Sequence, residues 1–353
     1  VRPAEFSEPR PDRPPQGSGS GGAVGVVFAA LAIVYGIALI MRVRSWSRFT
    51  PLEAVTAFAL GALLVMLTLW ARRSSAARAR YRARFAANHA ALAGLVILAV
   101  LIAVVVLAPL YSGDPYEMSA GARYTTPGAG HVLGTDRFGR DVWARVAHGG
   151  KTTLVLCIVS VTLATMLGTL IGAIAAMSRP AVDNVLMRWV DGMLAFPRIL
   201  LLLAVAALAR PGVLTLGLAL AATGWMGIAR IVRGEVRRMR GREFAEAAIA
   251  SGVGKMGLVW RHLLPHTIGH VMIAATLNAG AVILLESSLS FLGLGVQPPL
   301  PSWGAMVFEG RDALATAWWA SAAPAVAITL AAAAFNLVGD GLRDAFETRA
   351  TRS

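Results

Sequence analysis

The stretch REFAEAAIASGVGKMGLVWRHLLPH, Arg242 to His266, is a polar island between apolar runs long enough to cross a bilayer. About 20 apolar residues in a helix cover roughly 30 Å of hydrocarbon. A charged segment held between such runs must lie in water or against a partner, because lipid offers its polar groups no bonds. Within it Phe244, Ala248, Ile249, Val253 and Met256 recur at helical spacings, with Glu243, Glu246 and Lys255 between them. Gly252, Gly254 and Gly257 interrupt the pattern, so the spacing predicts two short helices joined by a glycine turn. Pro265 then suits the first turn of the next span, where its missing N–H does no harm.

Outward from the island, the composition agrees. Of 353 residues 56% are hydrophobic and 15% charged, which predicts an all-α fold, a polytopic transmembrane helical bundle. The net charge of +14 falls in short segments between apolar runs, as cytoplasmic loops do under the positive-inside rule, and this excludes nucleic acid as the partner. The single cysteine, Cys157, lies in an apolar run, so there is no disulfide framework and no cysteine metal cluster.

In chain order, residues 1–21 are rich in Pro, Gly, Ser and charge and read as a disordered cytoplasmic tail. Residues 22–70 read as an N-terminal transmembrane hairpin with spans at Gly22 to Met41 and Leu52 to Trp70. A signal peptide is not expected, because the run from Gly22 to Met41 is longer than a usual h-region and Arg42-Val43-Arg44 follows it in place of a small-residue cleavage site. Residues 71–152 hold a basic segment, a span at Ala90 to Leu110 and an outer loop, Tyr111 to Gly150. The basic segment carries Arg72, Arg73, Arg78, Arg80, Arg82 and Arg84 without an acid, which puts it in the cytoplasm and fixes the orientation. Residues 153–338 form a core with spans at Thr153 to Met177, Gly192 to Leu208, Val213 to Ile231, Thr267 to Leu289 and Ala317 to Val338, and with the island as its loop 242–266. A cytoplasmic tail, 339–353, closes the chain. Eight spans place both termini inside. The connection Arg42 to Pro51, with Arg42, Arg44 and Arg48, would face outward against the rule, so the first two segments are either a hairpin dominated by the stronger block downstream or partly interfacial.

Specific spacings then add a resemblance. Glu246-Ala247-Ala248, followed by Gly252 and by His262-Leu263-Leu264-Pro265, resembles the EAA loop of ABC-importer permeases, and His262 matches the ending used by their peptide-transport branch. Leu133 to Asp136 with Gly139-Arg140-Asp141, Asp183 through Met187-Arg188 to Asp191, Phe196-Pro197, Gly224-Trp225 and Val232 to Glu235 are similar to that branch as well. So are Leu289 to Gly295, Pro301 to Gly304, Asn336, and Gly339 to Asp344. The likeness covers about Ala71 to Arg349 and is to the C-type permease subunit of the dipeptide/oligopeptide (peptide/nickel/opine) family. Glu347-Thr348-Arg349 stands where that family usually has Asp-Pro-Arg, His266 where it has Asn, and the two N-terminal spans are additional.

The resemblance implies a type I ABC-importer permease fold with two additional N-terminal spans, in the bacterial cytoplasmic (inner) membrane, passing peptides or related small solutes. It implies as partners a second homologous permease subunit, two ABC ATPase subunits that bind ATP and Mg, and an extracytoplasmic substrate-binding protein, all within membrane lipid. The chain itself has no Gly-x-x-x-x-Gly-Lys-Ser/Thr phosphate loop, so it is neither an ATPase nor a cofactor carrier. Under the resemblance Glu246, Ala247, Ala248, Gly252, His262, Leu264 and Pro265 couple to the ATPase: the alanines permit close approach, Glu246 bonds a basic or N–H partner, and Gly252 makes a bend at positive φ.

Other polar residues carry two readings each. Glu286, deep in an apolar run, either makes a structural bond or lines the solute path, and Asn278 and Asn336 bond between helices or line the same path. Asp136, Arg140 and Asp141 either pair with one another or meet the binding protein, and Trp303 reads as an interface anchor beside an outer loop. His262, His266 and His270 recur every four residues, but Pro265 is expected to interrupt the helix and a third strong ligand is missing, so no metal site is read. An intramembrane protease would need His-Glu-x-x-His or a nucleophile with a partner at depth. An ion-coupled secondary transporter would need further intramembrane acids and an internal repeat, and Glu286 stands nearly alone.

Overall fold

The computed structural model describes residues 75–119, 123–128, 130–208 and 212–346. The expected N-terminal tail and hairpin, 1–70, and the end of the C-terminal tail, 347–353, lie outside the described residues. Among those described the fold is all-α, with one isolated β-bridge between Thr135 and Asp141.

A basic helix α1 (Ser75–Ala87) turns at Asn88 into α2 (His89–Tyr111), whose N-cap is the Asn88 side chain, accepting from Ala91 N at 3.0 Å. After an irregular loop, Asp141 caps α3 (Val142–Met177) by accepting from Trp143 N at 3.0 Å. That cap starts the helix inside what the sequence reads as loop up to Gly150, and α3 is accordingly 36 residues long. Then come α4 (Pro180–Leu194), α5 (Arg198–Leu208), α6 (Val213–Ala222), α7 (Trp225–Arg240) and α8 (Glu243–Ala250). A helical turn, a π-helical segment (Leu258–Leu263) and the helix Leu264–Phe291 run on together as α9 (Lys255–Phe291). The described chain closes with α10 (Trp303–Gly310) and α11 (Trp319–Phe346).

Five of the described helical segments are long and apolar enough to cross a membrane: His89–Ala108, α3, the pair α6 and α7 as Val213–Arg240, α9 and α11. The remaining expected span, Gly192 to Leu208, falls within the pair α4 and α5, which together are long and apolar enough to make a sixth span but meet at an 87° bend that the sequence reading does not include. The cause is Pro197, which lacks an N–H and pushes Phe196 out of the α region, so the helix stops before it and restarts after it.

With lipid as apolar as leucine, such helices associate through close packing and polar bonds. In α3, Gly168 and Gly172 form a small-xxx-small stripe against α7. A Cβ on Gly172 would stand 2.5 Å from the Ala229 carbonyl oxygen, and one on Gly168 would stand 2.6 Å from that of Trp225. The second close seam joins α2 to α11, where Gly94 lies on Ala334 and Leu337 and Gly341 lies on Ala91. Ion pairs tie α4 along α7: buried Asp183 accepts from Arg233 at 2.5 and 2.7 Å and is also bonded by Arg237, and Asp191 pairs with Arg230.

Two ends follow from this topology. The island end gathers Ser178 to Pro180, Arg237, Arg240, Gly241 and Lys255, which line one open hollow. The far end holds the loops that lead into α3 and α10, joined by the ion pairs described below.

Candidate functional site

The island folds as a helix, a turn and a second helix. Ala245 and Ala248 face inward from α8 onto Leu258, Val259, Leu263 and Leu264, a cluster shared with Val232 and Val236 of α7. With Ala245 three residues before it on the same helical face, Ala248 seats α8 on the chain's own bundle. Leu264 is likewise buried and holds the loop in place. Glu246 and Ala247 face outward. Gly252 turns the chain at φ 83°, a left-handed conformation that side chains with a Cβ rarely adopt, and nothing stands within 4 Å of where its Cβ would be.

Pro265 does not interrupt the helix, contrary to expectation. The π-helical segment before it widens the turn by one residue and so relieves the clash between a proline ring and the preceding turn. His266 Nδ1–H donates to the His262 carbonyl at 2.7 Å, and its ring stacks on Phe244 of α8 at 5.0 Å between centroids. This stack fastens the two arms of the loop. His270 faces Glu235 instead, at 3.7 Å. The outer face of the loop presents Phe244, Ile249, Met256 and Trp260, with Met256 71% exposed.

Polar residues within the membrane span fall into separate places. Glu286 is 1% exposed and accepts from the Ser290 hydroxyl at 2.9 Å, one turn on in α9 and beside the place where Gly304 of α10 packs against Ser287 and Ser290. Asn278 accepts from Arg198 at 2.9 Å through its side-chain oxygen, while Asn336 lies with its oxygen against Gly280. Among the described residues no hydrogen bond joins Glu286, Asn278 and Asn336.

At the far end Asp136 and Arg140 belong to a buried quartet with Arg145 and Glu309. Arg140 donates to Asp136 and Glu309, each at 2.7 Å, and Arg145 donates to Asp136 at 2.7 Å and to Glu309 at 2.8 Å. Two positive and two negative groups balance, which is the condition for burying charge. Asp141 stays outside the quartet as the cap of α3, near His131. Trp303, expected as an interface anchor, is buried in the bundle at 1% exposed. Its indole N–H donates to the Val146 carbonyl at 2.8 Å and its ring covers Gly150, where a Cβ would come within 2.7 Å. Arg145, Glu309 and Arg198 are the polar residues that sequence reasoning passed over.

Comparison with known proteins agrees with this architecture. Residues 168–352 match the family described as binding-protein-dependent transport system inner membrane component, and residues 78–127 match the N-terminal TM domain of oligopeptide transport permease C. Fold and matches define a multi-pass membrane permease. The chain belongs to the family of binding-protein-dependent transport system inner membrane components. The "Putative peptide transport system permease protein" of Brucella suis biovar 1 is 39% identical over 257 residues, 72% of this chain and 86% of that protein. The oligopeptide transport system permease protein OppC of Haemophilus influenzae is 36% identical over 272 residues, 75% of this chain and 86% of that protein. A chain from inward-facing MetNI methionine ABC transporter structures aligns with a TM-score of 0.49 at 18% identity, covering 57% of this chain and 97% of that one.

Proposed function

We propose that this chain is one permease subunit of an ATP-driven importer in the bacterial inner membrane and that it passes peptides or closely related small solutes. It pairs with a second, similar permease, receives solute from an extracytoplasmic binding protein and takes its driving force from two ATPase subunits that bind ATP and Mg. Support for the substrate class comes from relatives over 35% identical whose names refer to peptide transport.

The observation that carries the coupling role is the outer face of loop 242–266. Phe244, Ile249, Met256 and Trp260 stay exposed on a segment fastened to the bundle by Ala245, Ala248 and Leu264. An apolar face on a firmly held helical loop between spans is a docking surface. The end that bears it also bears Arg179, Arg237, Arg240 and Lys255, which by the positive-inside rule is the cytoplasmic side, where an ATPase sits. Closure of two ATPases would move α8 and the start of α9 as one body, because the His266–Phe244 stack and the buried alanines join them.

The test is reconstitution in liposomes. The assembly of both permeases, both ATPases and binding protein should take up labelled peptide only with ATP, and this chain alone should take up none. Uptake by the chain alone, or an assembly that hydrolyses ATP yet imports no peptide, would overturn the reading.

A further inference from the structure

Arg198 stands at the first position of α5, directly after the 87° bend, and its guanidinium reaches into the bundle. Its partners lie near mid-span. Asn278 is close to the middle of the 28-residue helix Leu264–Phe291, and Thr223 caps the C-terminus of α6, where α6 breaks from α7. Arg198 donates to the Asn278 side-chain oxygen at 2.9 Å, to the Leu220 carbonyl at 3.1 Å and to the Thr223 hydroxyl at 3.3 Å. Gly224 leaves room for it, since a Cβ there would stand 2.8 Å from a guanidinium nitrogen.

All three acceptors are neutral. Arg140, Arg145 and Arg233 each face a carboxylate, and among the described residues no carboxylate pairs with Arg198. A guanidinium has five N–H donors and only three are used here. The amide nitrogen of Asn278 is also buried without an acceptor. A half-buried cation and an idle amide therefore converge where the broken span α4–α5 meets the junction of α6 and α7. An ionised group at membrane depth marks a solute or ion pathway, and broken helices are where such pathways gather their ligands.

We infer that Arg198 and the Asn278 amide form a carboxylate-binding site in the translocation path, which holds the C-terminal carboxylate of a passing peptide. Guanidinium and carboxylate match in a two-bond fork, and the Leu220 carbonyl near the C-terminus of α6 keeps the guanidinium aimed without neutralising it. This inference rests on the proposed import of peptides and adds the group that is recognised.

The test measures equilibrium binding of tritiated trialanine and of its C-terminal amide to the detergent-solubilised assembly of permeases and ATPases without binding protein, so that the binding protein's own selectivity does not enter. The free carboxylate should bind about tenfold tighter than the amide, the ratio that one charge-assisted pair supplies. Arg198→Gln should abolish the preference and Arg198→Lys should keep part of it. If Arg198→Gln does not assemble, Asn278→Leu should cut the preference at least about threefold, since it removes one arm of the site. Equal affinity for both probes, no binding of either, or a preference that survives these substitutions would overturn the site. Failure of the complete system to import trialanine would count instead against the proposed function.

Discussion

Replacing Glu309 by Gln removes one of four charges from the buried quartet at the far end. Glu309 accepts from Arg140 at 2.7 Å and from Arg145 at 2.8 and 3.3 Å, and the four side chains are between 4% and 13% exposed. The variant leaves two guanidinium groups facing Asp136 alone, an uncompensated positive charge in an enclosed site. Breaking a buried pair by removing one partner costs about 3–5 kcal/mol. The low end, about 3 kcal/mol, suits a site that keeps a sliver of solvent, and corresponds to roughly a hundredfold rise in the unfolded fraction. Cys157 supplies the assay, since it is the chain's only cysteine and is 1% exposed. A maleimide that fluoresces on reaction should label Glu309→Gln at a midpoint several degrees below the parent. Adding Arg145→Gln restores neutrality by leaving Asp136 with Arg140, and should recover at least about 1 kcal/mol as a coupling energy. A single variant within about 0.5 kcal/mol of the parent, or strictly additive losses, would refute the charge-balance reasoning.

Three further outcomes follow from the packing. Gly172→Val places a Cβ 2.5 Å from the Ala229 carbonyl oxygen and should cost at least about 1–3 kcal/mol by the Cys157 reporter, whereas Gly234→Val, with nothing within 4 Å, should change it little. Gly252→Val must hold a β-branched residue at φ 83°, a strain of about 1–2 kcal/mol, so ATP hydrolysis should continue while uptake falls; Gly252→Asn, which tolerates that conformation, should keep most uptake. Asp183→Asn leaves Arg233 and Arg237 without their carboxylate, and amides in residues 180–194 should exchange with deuterium at least about tenfold faster than in the parent.

Much of this was legible in the sequence, for identifiable reasons. Apolar length alone marks α2, α3, α9 and α11 as spans, and the polar island stands out because it interrupts them. Phe196-Pro197 contained the signal for the bend, but an apolar run on one side and a length near that of a span hid it. Half of the quartet was missed because Arg145 and Glu309 are 164 residues apart, and only the fold brings them together. Trp303 was misread because a tryptophan beside prolines at a loop has the composition of an interface anchor; its burial depends on Gly150 across the bundle. Arg198 passed as the flanking charge of an apolar run, since no local pattern reports that Asn278, eighty residues on, receives it. The inward face of Ala248 was recoverable from its spacing to Ala245, had the helix been placed on the bundle first.

Under the proposed function the exposed face of loop 242–266 meets an ATPase. The most direct measurement places a photo-activated benzoylphenylalanine at Ile249 or at Met256 in the assembled transporter, with Leu170 on the outside of α3 as the lipid-facing control. Irradiation should join this chain to the ATPase subunit from both loop positions and not from Leu170. Adducts to lipid or to the second permease alone, in an assembly that still imports, would contradict the account.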